Sequence, residues 1–440
     1  MIEPVIKKLK ENGINDYELI VKQNRKTVVI VKNGNMENLK SSSETTYTLK
    51  IIKDKKVGLT YFTSNESDLD KIVNRAVELS SYNTPDPLNS FYNNEFSENS
   101  IKNLLNKKIE NISIEQQLEK ALLIEEYAYK YDRRINIVNE AQCFKGSVNV
   151  RYINSNGIDK EYATNYTGGA VVVVAKENSS QMTGYEHFIT KNDSVDSKKI
   201  AENAGFKAVR MLNASKAKSA NYPIIIENEL VADLFTIIAP SFYIENIEKN
   251  KSLFSKYRIG ETIASKNLTL IDDATNKNYI GAAKFDDEGV PTSKKVLINK
   301  GILNNHLYNL YYAKKRNSNF AGNSFLPNFK SFQSITYSNL ILSKGKMSLQ
   351  EGIKSLSSGI FLTTLMGLHM ADAISGDFSL GAEGILIENG ELTKPVKEFV
   401  VSGNIKDILK NCKMVYNDSK VSGSLITPSI LVEGLTISGN

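Results

Sequence analysis

Tryptophan is absent from this chain of 440 residues, and cysteine and histidine are scarce, at two and three. The missing tryptophan accompanies an abundance of Lys, Asn and Ile and excludes nothing by itself. The cysteine count excludes more. Cys143 and Cys412 form no C-x-x-C pattern, so no disulfide framework is indicated and a reducing compartment is the expectation. Residues 1–13 contain lysines but no apolar stretch of the secretory kind. No run approaches the ~18 apolar residues of a membrane span. The best candidate, residues 359–373, is short and carries Thr, His and Asp. A cytoplasmic protein with no membrane partner is expected.

Active-site patterns are missing too. None of His187, His306 and His369 is followed by Glu, and there is no G-x-S-x-G, Walker loop or G-x-G-x-x-G. A catalytic zinc takes three protein ligands and an open position for water, and three histidines in separate segments do not supply that set locally. The net charge is +6. The densest basic spot, Lys314-Lys315-Arg316 beside Tyr311, Tyr312 and Phe320, is one tripeptide. A nucleic-acid groove aligns several, so a solvated loop is the expected reading.

What is present is an ordinary globular composition, 41% apolar and 24% charged, at a length for about two to three domains. The N-terminal half carries a weak internal repeat. One copy runs through Val28, an Asn33-Gly34 turn, a strand segment over 47–62 and a helix from Ser67 with Leu69, Ile72, Val73, Ala76 and Leu79 on one face. The other runs through Val148, an Asn156-Gly157 turn, a strand from Gly169 and a helix from about Ser197 with Ile200, Ala204, Ala208, Met211 and Leu212. Asn-Gly supplies the positive φ angles of a type I′ hairpin. The expectation is an α+β fold, with a layered sheet-plus-helix domain over 1–215 built from a βββα duplication. Residues 83–112 read as a loop. A helical insertion over 113–131 opens on a Ser113/Gln116 capping box, with Ile114, Leu118, Ala121 and Leu122 facing a core. A second, mainly β domain is expected over 222–440. It begins with a strand at Ile224 and a helix over 227–239, and from Leu268 has strands of five to eight residues and one helix over 348–356.

Two loops in that second domain stand out. Asp286-Asp287-Glu288-Gly289, with Asp272-Asp273, does not meet the alternating spacing of a calcium loop. It reads as turn chemistry, Gly289 taking φ > 0. In Gly376-Asp377-Phe378-Ser379, the Asp and Ser side chains can bond local backbone groups.

In order and spacing, these loops, with Gly301, Gly322-Asn323, Asn339-Leu340, Gly384, Glu388-Asn389-Gly390 and Ser402-Gly403-Asn404, resemble the TldD/PmbA family of two-subunit zinc metalloproteases. The likeness extends from about Tyr17 to Gly439. It implies that the helix over 227–239 holds the place of the His-Glu-x-x-x-His run of zinc-bearing members. Here that helix offers only Glu227, Glu229 and Asp233, a poor set for zinc, and no cysteine follows Cys412. The resemblance is therefore to the PmbA (TldE) subunit type, with no catalytic residue and no metal ligand in this chain. Zinc is expected in a TldD-type partner, as a heterodimer, with a homodimer as the other arrangement. It further implies contact of unfolded peptides with Asp286, Asp287, Glu288 and Gly289, and with Gly376, Asp377, Phe378 and Ser379. Two other readings stand beside it: a stand-alone adaptor for gyrase-linked peptide or nucleic acid, and a hydrolase using the carboxylates of 286–288.

Overall fold

A computed structural model describes residues 2–66, 68–97 and 101–439, and the elements named below are those of these residues. The fold is α+β, 23% helix and 41% strand, with the sheet-rich part towards the C-terminus. Helix α1 (Ile2–Glu11) leads into β1 (Asp16–Lys32), β2 (Asn35–Lys53), β3 (Lys56–Thr63) and α2 (Leu69–Ser81). After α3 (Lys107–Glu110) and α4 (Ile114–Tyr131) come β4 (Ile135–Asn154), β5 (Asp159–Glu177), β6 (Ser180–Thr190) and α5 (Ser197–Val209). The strands form one antiparallel sheet in the order β3-β2-β1-β4-β5-β6, so each half adds its strands outward from the β1–β4 pair.

Helices cover one face of this sheet. α2 closes a core with Tyr17, Leu19, Leu49 and Phe62; α4 and α5 close another with Val138, Val171 and Val173. Both halves let a helix approach the outer strand through a glycine. A Cβ on Gly58 of β3 would lie 2.0 Å from the Ala76 carbonyl oxygen, and one on Gly184 of β6 would lie 2.0 Å from that of Ala204.

Several local expectations are altered by the structure. Asn33 and Gly34 take φ of 53° and 73° and close the two-residue β1–β2 hairpin. The turn at Asn156-Gly157 is not type I′. Only Gly157 is left-handed, because the Asn154 side chain accepts from the Asn156 and Ile158 amides and shapes a longer loop. The segment 47–62 is two strands, split where Asp54 and Lys55 both adopt positive φ. The Ser67 cap lies outside the described residues, and Asp68 accepts from the Lys71 amide. The capping box at Ser113 and Gln116 forms. However, Ile114 is exposed, and α4 turns Gln117, Ala121, Ile124, Glu125 and Ala128 inward. This rotation brings Glu125 Oε2 to the Gly34 amide at 2.7 Å.

The chain continues through β7 (Ser215–Lys216), β8 (Ile224–Ile226), α6 (Asn228–Ile238), α7 (Ile244–Glu248), β9 (Leu270–Asp273), β10 (Lys294–Asn299), β11 (Ile302–Leu303) and α8 (Leu310–Lys315). It then forms β12 (Ser324–Phe325), β13 (Ser334–Ile335), β14 (Leu340–Leu342), α9 (Leu349–Lys354), β15 (Ser358–Met366), β16 (Asp377–Glu388), β17 (Glu391–Asn404) and α10 (Ile405–Lys410). Five short strands close it: β18 (Cys412–Val415), β19 (Lys420–Ser422), β20 (Leu425–Thr427), β21 (Ile430–Val432) and β22 (Thr436–Ser438). One sheet runs β11-β10-β9-β14-β20-β19; the other runs β18-β21-β8-β15-β16-β17-β22, with β7 on β17. They share one large core around Phe242, Phe254, Leu297 and Phe399. Helices α7, α8 and α10 go beyond the two helices expected here, and β16 and β17 are longer than the expected five to eight residues while many other strands are shorter.

The second face of the N-terminal sheet is covered over part of its length. Ile20, Val150 and Tyr152 pack on Phe285, Val290 and Leu310. There Tyr17, Glu18, Leu19 and Ile20 are buried in succession, because the strand is a middle layer with no solvent side. Gly58→Ala and Gly184→Ala should each destabilise the chain by about 1–3 kcal/mol, since the clash is with backbone. Urea unfolding of both variants measures this.

Candidate functional site

The acidic loop sits where the C-terminal half meets the sheet. Gly289 takes φ of 74°, and a Cβ there would strike the Tyr152 ring at 2.4 Å. Asp286 is fully buried and organises the loop: Oδ1 accepts from the Glu288 and Val290 amides at 2.9 and 3.0 Å, Oδ2 from the Ser324 amide at 2.9 Å. Asp287 Oδ2 accepts from Lys22 Nζ at 2.6 Å and the Leu326 amide at 2.7 Å. Glu288 Oε2 accepts from the Leu310 amide at 2.8 Å.

The sheet answers with its own charges. Lys50 Nζ stands 2.8 Å from Glu18 and 4.0 Å from Glu288. Glu18 also accepts from Tyr152 Oη at 2.9 Å and Gln333 Nε2 at 2.7 Å. Burial would lower the Lys50 pKa, but the Glu18 and Glu288 carboxylates outweigh it and the pKa is raised. Burial and the neighbouring Glu288 push Asp286 well above the usual carboxylate range. This is a joint between two layers. A cavity of about 430 Å³, lined by Lys50, Asn83, Asp86, Glu288, Tyr311 and Gln333, opens beside it.

The second loop has different neighbours. Gly376 takes φ of 90°, near Leu253 and Asn404. Asp377 accepts from Asn404 Nδ2 at 2.7 Å. Phe378 is buried in the large core, while Asp377 and Ser379 are exposed at the start of β16. Of the eight loop residues singled out in the sequence, the structure therefore exposes Asp377 and Ser379, places Glu288 at a cavity wall and uses Asp286, Asp287, Gly289, Gly376 and Phe378 to build the loops.

Helix α6 lies at a second joint, one that sequence reasoning missed. Arg210, just past α5, meets the Glu227 carboxylate with both terminal nitrogens, at 2.7 and 2.6 Å. Glu229 stands 2.5 Å from Lys207 and 2.9 Å from Lys420. Glu186, only 2% exposed, stands 2.8 and 2.7 Å from the same two lysines. Two carboxylates and two ammonium groups from β6, α5, α6 and β19 thus alternate in a closed ring. Cavities of about 600 and 580 Å³ flank it, and both are lined by Lys207, Glu227 and Glu229. Nothing local in the sequence marks these partners, since three segments distant in sequence supply them.

Zinc does not fit these residues. α6 carries no imidazole, and its charged groups near the N-terminus are already matched by cations. His187 lines the smaller of the two cavities with Glu229 and Asp233, but its ring stacks on Phe144 at 5.3 Å. His306 is buried, and burial brings its pKa to about 4; His369 is exposed on a short 3-10 turn. Among the described residues, no group of three His, Cys, Asp or Glu is placed to hold a metal. Cys143 and Cys412 are buried, their thiols pushed up to about 11 and 12 by desolvation. The basic tripeptide is not a free patch either. Lys315 and Arg316 both bond Glu248, and Lys314 bonds Ser90 and Glu95.

The sequence matches the PmbA/TldA metallopeptidase C-terminal domain over residues 219–439, the central domain over 107–212 and domain 1 over 17–80. The chain belongs to the PmbA/TldD metallopeptidase family. It is 25% identical over 427 residues to metalloprotease PmbA of Escherichia coli O157:H7, covering 96% of this chain and 92% of that one. It is 29% identical over 330 residues to a PmbA homologue of Buchnera aphidicola, covering 74% and 71%. The fold superposes on TldE of Thermococcus kodakarensis with a TM-score of 0.90 at 24% identity, covering 99% of this chain and all of that one. It superposes on a Thermotoga maritima protein described as a modulator of a DNA gyrase with a TM-score of 0.89 at 26% identity, covering 99% of each. TldD homologues of Buchnera aphidicola match as well, one at 28% identity over 284 residues, so the chain is similar to both PmbA and TldD homologues. Among the described residues, no helix is long and apolar enough to cross a membrane.

The ring around α6 has a defined pH window. Burial alone would raise the Glu229 pKa, but Lys207 and Lys420 outweigh it and hold it below the ordinary value. Its contribution is present above the unfolded value of about 4.3 and lost as pH falls through the folded one. Burial would lower Lys207, but Glu229 and Glu186 outweigh it and raise its pKa. That contribution is present below the unfolded value of about 10.4 and lost as pH rises through the folded one. Lys420→Met should therefore cost about 1–3 kcal/mol at neutral pH. In urea unfolding, the gap from wild type should close as pH falls below about 4.

Proposed function

We propose that this chain is a non-catalytic subunit of a two-chain peptidase, working with a zinc-bearing member of its family on unfolded peptides. It would complete the chamber around the substrate and guide peptide towards the partner's metal. The observation that carries this reading is α6 and its ring of charges. Glu186, Glu227 and Glu229 are held by Arg210, Lys207 and Lys420, so none of these three is free to bind a metal or to activate water as general base, and Asp233, the remaining α6 carboxylate, belongs to no group of three ligands among the described residues. A catalytic zinc needs an open position beside its protein ligands, and a closed ring of ion pairs leaves none.

Peptide contact is assigned to the groups that reach solvent or a cavity: Asp377 and Ser379 at the start of β16, and Glu288 at the cavity wall. Asp286, Asp287, Gly289, Gly376 and Phe378 set the shape of those loops. Main-chain pairing with an extended peptide is tolerant of sequence, as a protease for unfolded chains requires. The functional division is taken at residues 1–215 and 222–440. A nucleic-acid adaptor role finds no support in the tripeptide at 314–316, whose charges are spent on Glu248 and Glu95.

The expected outcome is cleavage of an unfolded peptide by the mixture of this chain with a zinc-bearing homologue from the same cell, and none by this chain alone. Stoichiometric zinc on the purified chain, with cleavage abolished by chelation, would overturn the proposal. Within an active mixture, Ser379→Trp should raise KM with little change in kcat, since a contact made equally in ground and transition states is lost.

A further inference from the structure

The cavity of about 430 Å³ beside the acidic loop is lined by amides whose nitrogen ends are already committed. Asn83 Nδ2 donates to the Val57 carbonyl at 2.7 Å, and Asn89 Nδ2 donates to the Lys55 carbonyl at 2.8 Å. Gln333 Nε2 donates to Glu18 Oε1 at 2.7 Å and to the Asp287 carbonyl at 3.1 Å. Reversing any of these amides would set oxygen against oxygen, so the bonds fix their orientation. Their remaining ends are the oxygens Asn83 Oδ1, Asn89 Oδ1 and Gln333 Oε1, which accept no hydrogen bond among the described residues.

Two carboxylates complete this wall of acceptors. Asp86 accepts from the Leu88 amide at 2.9 Å and the Tyr311 hydroxyl at 2.8 Å. These bonds hold its pKa below the ordinary value, and no cation is in contact with it among the described residues. Glu288 is only 7% exposed, and its Oε2 accepts from the Leu310 amide. Its nearest cation, Lys50, stands at 4.0 Å and is itself held by Glu18 at 2.8 Å. Donors on the same walls are few. The Tyr311 hydroxyl is spent on Asp86 and Lys50 on Glu18, which leaves the Asn309 amide nitrogen and the Thr84 hydroxyl. Phe332 lines the cavity while 51% exposed.

We propose that this cavity takes the guanidinium group of an arginine residue in an unfolded peptide. A guanidinium carries five N–H donors and no acceptor, which suits walls offering acceptors and negative charge. It also stacks on aromatic faces, and Tyr311 and Phe332 supply them. A lysine ammonium is a compact point charge with three donors, and it meets fewer of the acceptors spread over the walls. A neutral side chain leaves Asp86 and Glu288 without a counter-charge. Asn83, Thr84 and Ser90 are exposed, so the cavity is reached from solvent. The inference rests on the peptide-guiding role proposed above and names the side chain which that role favours.

Isothermal titration calorimetry of the purified chain tests this with a capped glycine-serine pentapeptide carrying arginine, lysine or citrulline at its centre. Citrulline keeps the shape and removes the charge. The arginine peptide should bind about tenfold tighter than the citrulline peptide, with the lysine peptide between them. Asp86→Asn should weaken the arginine peptide about fivefold and leave the citrulline peptide unchanged. Phe332→Ala should weaken the arginine peptide more than the lysine peptide. Asp86→Asn keeps an acceptor for the Leu88 amide and Phe332 is exposed, so both variants should match wild type by circular dichroism. Equal affinity for the arginine and citrulline peptides would overturn the proposal. So would no binding of any of the three, or an arginine preference unchanged in both variants. The two readings fail separately. Cleavage of an unfolded peptide by the mixture with a zinc-bearing homologue, without arginine preference in calorimetry, would overturn the guanidinium site alone. Arginine-selective binding without cleavage by the mixture would uphold the site and overturn the two-chain peptidase.

Discussion

Burying the carboxylates of the 286–288 loop without leaving a charge unpaired is the constraint on which the arrangement of the two halves rests. An isolated buried carboxylate is costly, and one partner removed from a buried pair leaves the other stranded. Asp286 meets this with three backbone amides, Asp287 with Lys22 and an amide, Glu288 with an amide and the nearby Lys50. Both lysines belong to the N-terminal sheet. The loop therefore reaches full satisfaction only when that sheet is docked, and Gly289 fits only because the Tyr152 ring lies against a residue without Cβ. Docking then fixes Glu18, which needs Lys50, Tyr152 and Gln333 at once.

The second joint extends the same logic to α6. A helix whose first turn carries carboxylates is favoured by its dipole, yet here those carboxylates point at another layer. Lys207 and Lys420 neutralise Glu186 and Glu229 much as a divalent ion would, but each ammonium donates hydrogen bonds and offers no site for water or substrate. The geometry is that of a brace. The cavities on either side exist because long, charged side chains span the gap that apolar packing would otherwise close.

What could be read from the sequence divides along the same line. The Asn33-Gly34 turn, the helix over 114–131 and the helix at 228–238 were legible, because neighbouring residues alone decide them. The Asp54-Lys55 turn was not, since neither residue advertises the positive φ that the strand crossing imposes. Ile114 was misplaced because Glu125, reaching Gly34, sets the helix rotation. Gly289 as turn chemistry was legible; the burial of its neighbours was not, because Lys22 and Lys50 lie in another domain. Glu18 and Glu186 are buried carboxylates within strands, and the sequence reading did not single out either. The covered second face of the sheet makes Glu18 interior, α5 with Lys207 and Asn203 covers Glu186, and no local pattern records either.

The sheet is consequently two structures along one set of strands. Towards the β1–β4 end at Leu19 and Tyr152 it is a middle layer, closed on both faces and braced by ion pairs. Towards the Asn33-Gly34 hairpin it passes beyond the C-terminal half, and β2 passes beyond β3. Rigidity at the first end follows from satisfied buried charge, because moving either layer would strand several ions together. At the second end, residues 35–44 of β2 rest on β1 alone, and exposed Lys40 and Glu44 are solvated. The same strands thus hold the 286–288 loop at one end and present an unpaired edge at the other, and a partner engaging that edge would meet the element least coupled to the core.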